Sequence, residues 1–393
     1  MDFKRLENAK LKGKTALVRV DFNVPVDAKG KITDDTRIRA AIPTIKAIQN
    51  AGGKVVLLSH FGRPKGKVDP KLSLQFLVAP LVELLEDEVH FSDQLHDAVV
   101  ESMAPDGILL LENTRFHAGE TTGDKDLAKE YAALGDVFIQ DAFSAAHRNH
   151  VSSAVIAEFL PAYAGLNMER ELDHLAQALE KPKKPVMAVV GGAKVSTKIE
   201  LLSNLVKKLD VLAIGGGMAN TFLYALGHKV GKSLHEPDFK ATALEIMESA
   251  KKEKCRILLP VDGVAAIEFK AGAKHRVVTL DNVKTSEMIL DAGPETVEGL
   301  LDAMDSAKTL IWNGPLGAFE MEPFDTSTVE AAKYAAKRVK EGKLIAVAGG
   351  GDTVAALNHA SAAEDFTFIS TAGGAFLEWM EGKSLPGVEI LTS

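Results

Sequence analysis

A single cysteine, Cys255, in 393 residues rules out an internal disulfide framework, and so thiol-poor a chain fits a reducing compartment. We read it as a packed thiol beside the strand-like run Arg256-Ile257-Leu258-Leu259. Nowhere does an apolar run reach the ~20 residues that a membrane-spanning helix requires. The start, Met1-Asp2-Phe3-Lys4-Arg5-Leu6-Glu7, lacks the apolar stretch of a secretion signal. The expectation is a cytoplasmic protein with no membrane partner. Positive charge is also in short supply: 46 Lys and Arg against 54 Asp and Glu leave a net charge of −8. That argues against broad nucleic-acid binding, which needs a basic face to displace counterions. An anionic ligand must instead find a locally positive cleft. Repeats, low-complexity tracts and a disordered tail are absent as well.

What remains is an ordinary globular composition, 46% hydrophobic and 25% charged. At roughly 150 residues per domain the length predicts two domains. Short Val-, Ile- and Leu-rich runs alternate with amphipathic stretches, the pattern of parallel strands covered by helices, so the fold class is α/β. A first series of strands is expected at Thr15–Val20, Lys54–Ser59, Gly107–Leu111 and Asp136–Gln140. Ile38, Ala41, Ile42, Ile45 and Ile48 keep helical spacing before a stop at Gly52-Gly53. A second series follows at Pro185–Val190, Val211–Ile214, Arg256–Pro260, Thr309–Trp312, Leu344–Ala348 and Phe366–Ile369. Between them Met168–Glu180 reads as a helix ended by Lys181-Pro182-Lys183-Lys184-Pro185, the interdomain connection.

In open α/β sheets ligands bind beyond the carboxyl ends of the strands, so the residues just after each strand carry the information. In the first half these are Asp21 and Asn23, then His60 and Arg63, then Arg115 and His117, then His147, Arg148 and His150. Any one of these arginines reads as readily as a surface ion pair. Their recurrence after successive strands points to a small, multiply charged anion. In the second half the same positions are glycine-rich: Gly191-Gly192, Gly215-Gly216-Gly217, Asn313-Gly314-Pro315-Leu316-Gly317, Gly349-Gly350-Gly351-Asp352 and Gly373-Gly374. Glycine lets backbone N–H groups approach phosphate, and five such loops in series point to a nucleotide.

No Gly-x-x-x-x-Gly-Lys-Ser/Thr occurs, and Asn220 stands where a dinucleotide motif would carry a small residue, which disfavours a dehydrogenase. Lys194 and Lys198, four apart, would share one face at a helix start, awkward for two cations unless an anion sits there. On spacing alone they read equally well as solvated lysines. Asp352 suits Mg²⁺ held against nucleotide phosphates, with helix capping as the alternative. His147-x-x-His150 lacks a third metal ligand at persuasive spacing, and Arg148 would repel a cation. Trp312 and Trp379, in apolar runs, read as core.

Val18-Arg19-Val20-Asp21-Phe22-Asn23-Val24-Pro25, Ser59-His60-Phe61-Gly62-Arg63-Pro64, Leu111-Glu112-Asn113-Thr114-Arg115-Phe116, Gly191-Gly192-Ala193-Lys194-Val195 and Trp312-Asn313-Gly314-Pro315 occur in that order. Together they resemble the phosphoglycerate kinase family, and the resemblance runs to Leu385-Pro386-Gly387-Val388, essentially the whole chain. It implies two doubly wound parallel-sheet domains joined by a helix, with a cleft that closes about a hinge. The implied divisions are 1–166 for 3-phosphoglycerate, 167–181 for the helix, 182–370 for the nucleotide and 371–393 for a segment packing back on the first domain.

The resemblance also implies site residues. Asp21 and Asn23 would lie at the hydroxyl and carboxylate end of the acid, with His60, Arg63, Arg115 and Arg148 around its phosphate. Arg37, Lys194 and Lys198 would face the transferring group as catalytic residues. Lys198, Gly216, Gly217, Asn313, Pro315, Gly350, Gly351, Asp352 and Thr353 would serve ATP or ADP with Mg²⁺, Glu320 the ribose, and Gly373 and Gly374 would donate backbone N–H groups. Ala372 replaces a glycine common in the family, Gln140 an asparagine, and Ser144-Ala145 a Gly-Thr. A monomer performing reversible Mg-dependent transfer between 1,3-bisphosphoglycerate and ADP is implied. The competing readings are a kinase for another small carboxylate, or a nucleotide-binding sensor without chemistry.

Overall fold

The computed structural model describes residues 2–392. Its internal contacts gather into two compact units, one made of residues up to Asp173 together with Ser384 onward, the other of His174–Lys383.

The first unit is built on β1 (Thr15–Arg19), β2 (Lys54–Leu58), β3 (Val89–Ser92), β4 (Ile108–Leu111), β5 (Val137–Gln140) and β6 (Ala162–Ala164). All pair in parallel, in the order β3-β4-β2-β1-β5-β6. The expected central strands are present, each within about a residue of its predicted bounds. The edge strands β3 and β6 escaped the reading, because β3 mixes an exposed His90 into four residues and β6 is only three residues long. Ile38, Ala41, Ile45 and Ile48 are buried on the helix Thr36–Asn50, whereas Ile42 stays at its margin. Truncating one such isoleucine to alanine costs ~2–5 kcal/mol. The helix stops as expected: Gly52, at φ +79°, donates its N–H to Gln49 O at 2.8 Å.

The connecting helix spans Leu166–Leu179, and the boundary between the units falls within it, after Asp173. Its first turn hangs on Asp141 at the end of β5, whose Oδ1 accepts from Asn167 N at 2.9 Å and Met168 N at 3.2 Å. The segment that returns to the first unit starts at Ser384, not at 371. It is fixed by Lys4 N donating to Leu391 O at 2.9 Å and Gly387 N to Ala146 O at 2.8 Å. The helix Gly374–Met380 stays with the second unit. Phe376 is fully buried against Gly349, Asn204 donates to Met380 O, and Lys383 pairs with Glu200 and Glu381.

The second unit contains β7 (Val186–Val190), β8 (Val211–Ile214), β9 (Arg256–Leu258), β10 (Asp262–Ala266), β11 (His275–Thr279), β12 (Met288–Ala292), β13 (Thr309–Asn313), β14 (Ile345–Gly349) and β15 (Phe368–Ser370). Six run parallel in the order β15-β14-β13-β7-β8-β9. The antiparallel trio β11-β10-β12 was not foreseen; β11 buries only Val278, and a bulge breaks the β10–β12 register after Val264. Ala331, Ala332, Ala335 and Ala336 bring the helix Thr326–Lys340 close to the sheet, over a core holding Met187, Val189, Leu310 and Trp312. Trp312 is core, but Trp379 is partly exposed. Cys255 is packed, and burial pushes its thiol up to about 11. Among the described residues no helix is long and apolar enough to cross a membrane.

Candidate functional site

In the first unit the ends of β1, β2, β4 and β5 are stitched together by side chains. Ser59 Oγ donates to Val20 O and accepts from Phe22 N, both at 2.9 Å, tying the exit of β2 to that of β1. Asn113 Nδ2, after β4, donates to Phe61 O at 2.8 Å and Leu72 O at 2.9 Å. Arg115 Nη1 donates to Gly62 O at 2.8 Å. Asn23 Oδ1 accepts from Gly62 N at 3.0 Å. Asp21 accepts at Oδ2 from Ser144 Oγ at 2.5 Å and pairs there with Arg37 Nη1 at 2.9 Å, while Asn23 N approaches Oδ1 at 3.2 Å. Arg37 Nη1 also reaches Asn23 O at 2.9 Å. Asp21, Asn23, Arg37 and Arg115 are therefore held as one constellation, which His60 joins through Arg19 Nη2, 2.9 Å from its Nδ1.

The arginines gathered around this constellation push down the groups between them. Arg115 is held down to about 10, first by burial and then by Arg19 and Arg148, with Arg63 adding to the push. His150 is lowered to about 4 by burial, then Arg115, Arg148 and Arg19. His60 lies well below the ordinary histidine value by burial, then Arg19, Arg115, Arg37 and Arg148. Arg63 and Arg148 thus belong electrostatically to the same cluster, and Arg148 Nε donates to His147 Nε2 at 2.9 Å. Such a concentration of guanidinium groups around neutral imidazoles is relieved by an anion bearing more than one charge.

In the second unit the glycine-rich strand ends interlock. Gly191 N donates to Asn313 O at 3.0 Å, and Gly216 N to Leu316 O at 2.8 Å. A Cβ on Gly191 would stand 1.8 Å from Pro315 O, so only glycine fits there. Thr353 Oγ1 accepts from Gly314 N at 2.7 Å, and Asn313 Nδ2 donates to Gly349 O at 2.7 Å. Lys198 Nζ donates to Gly191 O at 2.7 Å, Asn313 Oδ1 at 2.6 Å and Asn313 O at 3.2 Å. Burial lowers it to about 8, opposed by Asp352.

Two neighbouring cavities open here. One, of about 330 Å³, is lined by Lys194, Lys198, Asn313, Gly350, Asp352 and Thr353 among others. The other, of about 490 Å³, is mostly apolar and bordered by Gly216, Gly217, Leu234, Phe269, Pro315 and Glu320. Asp352 lines both. Gly373, at φ +52°, precedes the helix that starts at Gly374. Ala372 beside them is buried.

Lys194 and Lys198 do not share a helix face. Val195–Thr197 forms a 3₁₀ turn, and the α-helix begins only at Ile199. Glu236 imposes this, accepting from Ser196 N at 3.0 Å and Ser196 Oγ at 2.6 Å. Lys194 is left exposed while Lys198 turns inward. Asp352 lies in the first turn of the helix Gly351–His359, where Gly350 occupies the capping position. Sequence reading missed Ser144 on Asp21, the buried Arg19 behind His60, and the apolar wall of Leu234 and Phe269. Only Arg19, a charge interrupting the apolar run Ala16-Leu17-Val18-Arg19-Val20, left a signal that could have been followed. Among the described residues no group of three or more His, Cys, Asp or Glu side chains is placed to hold a metal.

Comparison with known proteins agrees with this geometry. The family model described as phosphoglycerate kinase matches residues 6–383. Phosphoglycerate kinase of Caulobacter vibrioides is 60% identical over 397 residues, covering 100% of both chains. That of Maricaulis maris is 58% identical, over 98% of this chain and 97% of its own. The solved structure of phosphoglycerate kinase from Coxiella burnetii superposes with a TM-score of 0.93 at 41% identity, over 99% of each chain.

Proposed function

Since the chain belongs to the phosphoglycerate kinase family, and is thereby a phosphotransferase, we propose a division of labour between its two sets of strand ends. The reaction is reversible transfer between 1,3-bisphosphoglycerate and ADP, giving 3-phosphoglycerate and ATP. The basic cluster of the first unit takes the acid phosphate. Asp21 and Asn23 meet its hydroxyl and carboxylate end; His60, Arg63, Arg115 and Arg148 surround its phosphate. ADP and ATP take the glycine-rich ends of the second unit, with Gly216, Gly217 and Pro315 toward the nucleoside and Glu320 on the ribose. Gly350, Gly351, Thr353 and Lys198 meet the phosphates. Arg37 and Lys194 neutralise charge on the migrating phosphoryl group, aided by the N–H groups of Gly373 and Gly374.

Mg²⁺ fits this donor set. A magnesium ion keeps waters and substrate oxygens and needs only one or two carboxylates, so the lone Asp352 beside Lys198 suits one shared with nucleotide phosphates better than a protein-only cage would. When bound it would neutralise phosphate charge. The chain's own residues orient and stabilise, and phosphoryl transfer asks for little more. A carboxylate acceptor, with a pKa near ~3.5, is already ionised at neutral pH, so no general base is needed. We further propose that the units close about the helix Leu166–Leu179 to exclude water, and that the enzyme is a cytoplasmic monomer.

The observation that carries the reading is the gathering of Arg115, Arg148, Arg19 and Arg63 about one set of strand ends, where Arg115 Nη1 is held on Gly62 O and Arg19 Nη2 on His60. Its test is incubation with MgATP and 3-phosphoglycerate in the presence of hydroxylamine. A hydroxamate is the expected product of the acyl phosphate; none, from folded protein, would remove the acid as acceptor. X-ray scattering checks closure, which requires a smaller radius with both substrates than with either alone.

A further inference from the structure

Arg19 is the most deeply buried charge of the basic cluster, only 1% exposed, so it cannot touch a ligand. Burying a guanidinium costs several kcal/mol unless its donors are matched, and an aliphatic residue would fill the same space. Each guanidinium nitrogen of Arg19 has a partner. Nε donates to Ser152 Oγ at 3.0 Å, Nη1 to Val20 O, and Nη2 meets His60 Nδ1 at 2.9 Å. Ser152 Oγ in turn donates to the buried Glu120 at 2.5 Å, which places a counter-charge one hydroxyl away.

We propose that Arg19 is a positioning residue that locks His60 as the neutral tautomer protonated at Nε2, so that the imidazole offers a single N–H donor to the acid phosphate. The inference rests on the substrate reading given above. A guanidinium has only donors, so Nδ1 of His60 must accept, and the ring proton must sit on Nε2. The other tautomer, or the imidazolium, would set N–H against N–H at 2.9 Å. Among the described residues Nε2 has no hydrogen-bond partner. The charged groups facing the ring are Arg19 from β1, Arg115 from the turn after β4, Arg37 from the helix Thr36–Asn50 and Arg148 from the loop after β5, all cationic and all opposing protonation. A charged ring would pull on any anion; a neutral, directed N–H selects an oxygen at one position.

Long-range ¹H–¹⁵N NMR of histidine-labelled protein reads the tautomer directly. The expected pattern is Nε2–H, unchanged from about pH 5 to pH 8 because the ring titrates well below the ordinary ~6.5. Adding 3-phosphoglycerate should move Nε2 more than Nδ1. In Arg19→Met the ring should gain a titration nearer neutrality. The KM for 3-phosphoglycerate should then fall, relative to wild type, as pH drops through it, which a purely structural arginine would not produce. Should Arg19→Met fail to fold, His60 variants carry the test. His60→Gln, whose amide nitrogen replaces Nε2, should lose less affinity than His60→Asn, which replaces Nδ1, by about tenfold. An Nδ1–H or doubly protonated ring at neutral pH, or His60→Asn binding better than His60→Gln, overturns the proposal. An Nε2–H ring that ignores 3-phosphoglycerate upholds the lock and refutes the substrate placement instead.

Discussion

Nucleotide affinity should depend on the protonation of Lys198, by an amount the structure supplies. Burial brings this side chain from 10.5 to about 8 in the free protein. Its three carbonyl acceptors, Gly191 O, Asn313 O and Asn313 Oδ1, require three N–H donors, so at neutral pH it is an ammonium. A polyphosphate beside Nζ restores the ordinary value, a difference of 10.5 − 8 = 2.5 between free and bound forms. Above about pH 8, binding must therefore return a proton, and affinity falls up to tenfold per pH unit. From about pH 7 to about pH 9.5 the loss sums to about 30-fold, or ~2 kcal/mol. Calorimetric titration of MgADP across that range measures it. Lys198→Arg, charged throughout, should bind at every pH without the slope, whatever its absolute affinity. A wild-type affinity flat across the range, or an equal slope in Lys198→Arg, would refute the reasoning.

Arg63→Ala or Arg115→Ala should weaken 3-phosphoglycerate binding and leave MgADP binding intact; calorimetry showing equal losses for both ligands would defeat the two-site assignment. Arg37→Ala and Lys194→Ala should lower kcat by roughly 10³-fold with only modest changes in KM, the signature of contacts made mainly in the transition state. Near-normal kcat from folded Lys194→Ala would return that lysine to an ordinary surface role. Asp291 is pushed by burial up to about 7 in the fold, so the folded state holds its proton longer than the unfolded chain. That contribution to stability is present in acid and lost as pH rises toward about 7. Asp291→Asn should therefore improve relative to wild type between about pH 4 and pH 7 in thermal midpoint, and a pH-independent difference would show that Asp291 ionises normally.

The strand ends were legible in the sequence because their chemistry is local: glycine marks close backbone approach, and arginine after a strand marks an anion site. What stayed hidden depends on partners distant along the chain. The helical spacing of Lys194 and Lys198 misled because Glu236, forty positions on, reshapes Ser196 into a 3₁₀ turn. Ser144 reads as an ordinary loop serine until Asp21 is found across from it. Arg19 ends β1 within an apolar run, which hints at burial, but nothing nearby in sequence names His60 as the partner of its fork. The antiparallel trio lacks long apolar runs: β11 buries a single residue, and β10 and β12 mix Asp262, Gly263 and Asp291 into short strands, so no clean alternation marks them. The returning segment was placed thirteen residues too early because Phe376 reads as apolar anywhere, and it is partners far off in sequence, Gly349, Asn204 and Glu200, that keep it with the second unit.

The hydrogen bonds from Lys4 N to Leu391 O and from Gly387 N to Ala146 O join the two ends of the described chain inside one unit. That unit is therefore covalently interrupted, with the whole of His174–Lys383 inserted between its parts. On a ribosome the six-stranded sheet of the first unit emerges early, but the helix Pro386–Thr392 that caps it emerges after the second unit. Synthesis order and folding order are thus opposed. The uninterrupted unit can complete its core as soon as it is made, while the earlier one waits with Ala146 O and the amide of Lys4 unpaired. A nascent chain stalled near Lys383 should display a protease-resistant second unit and a labile first one.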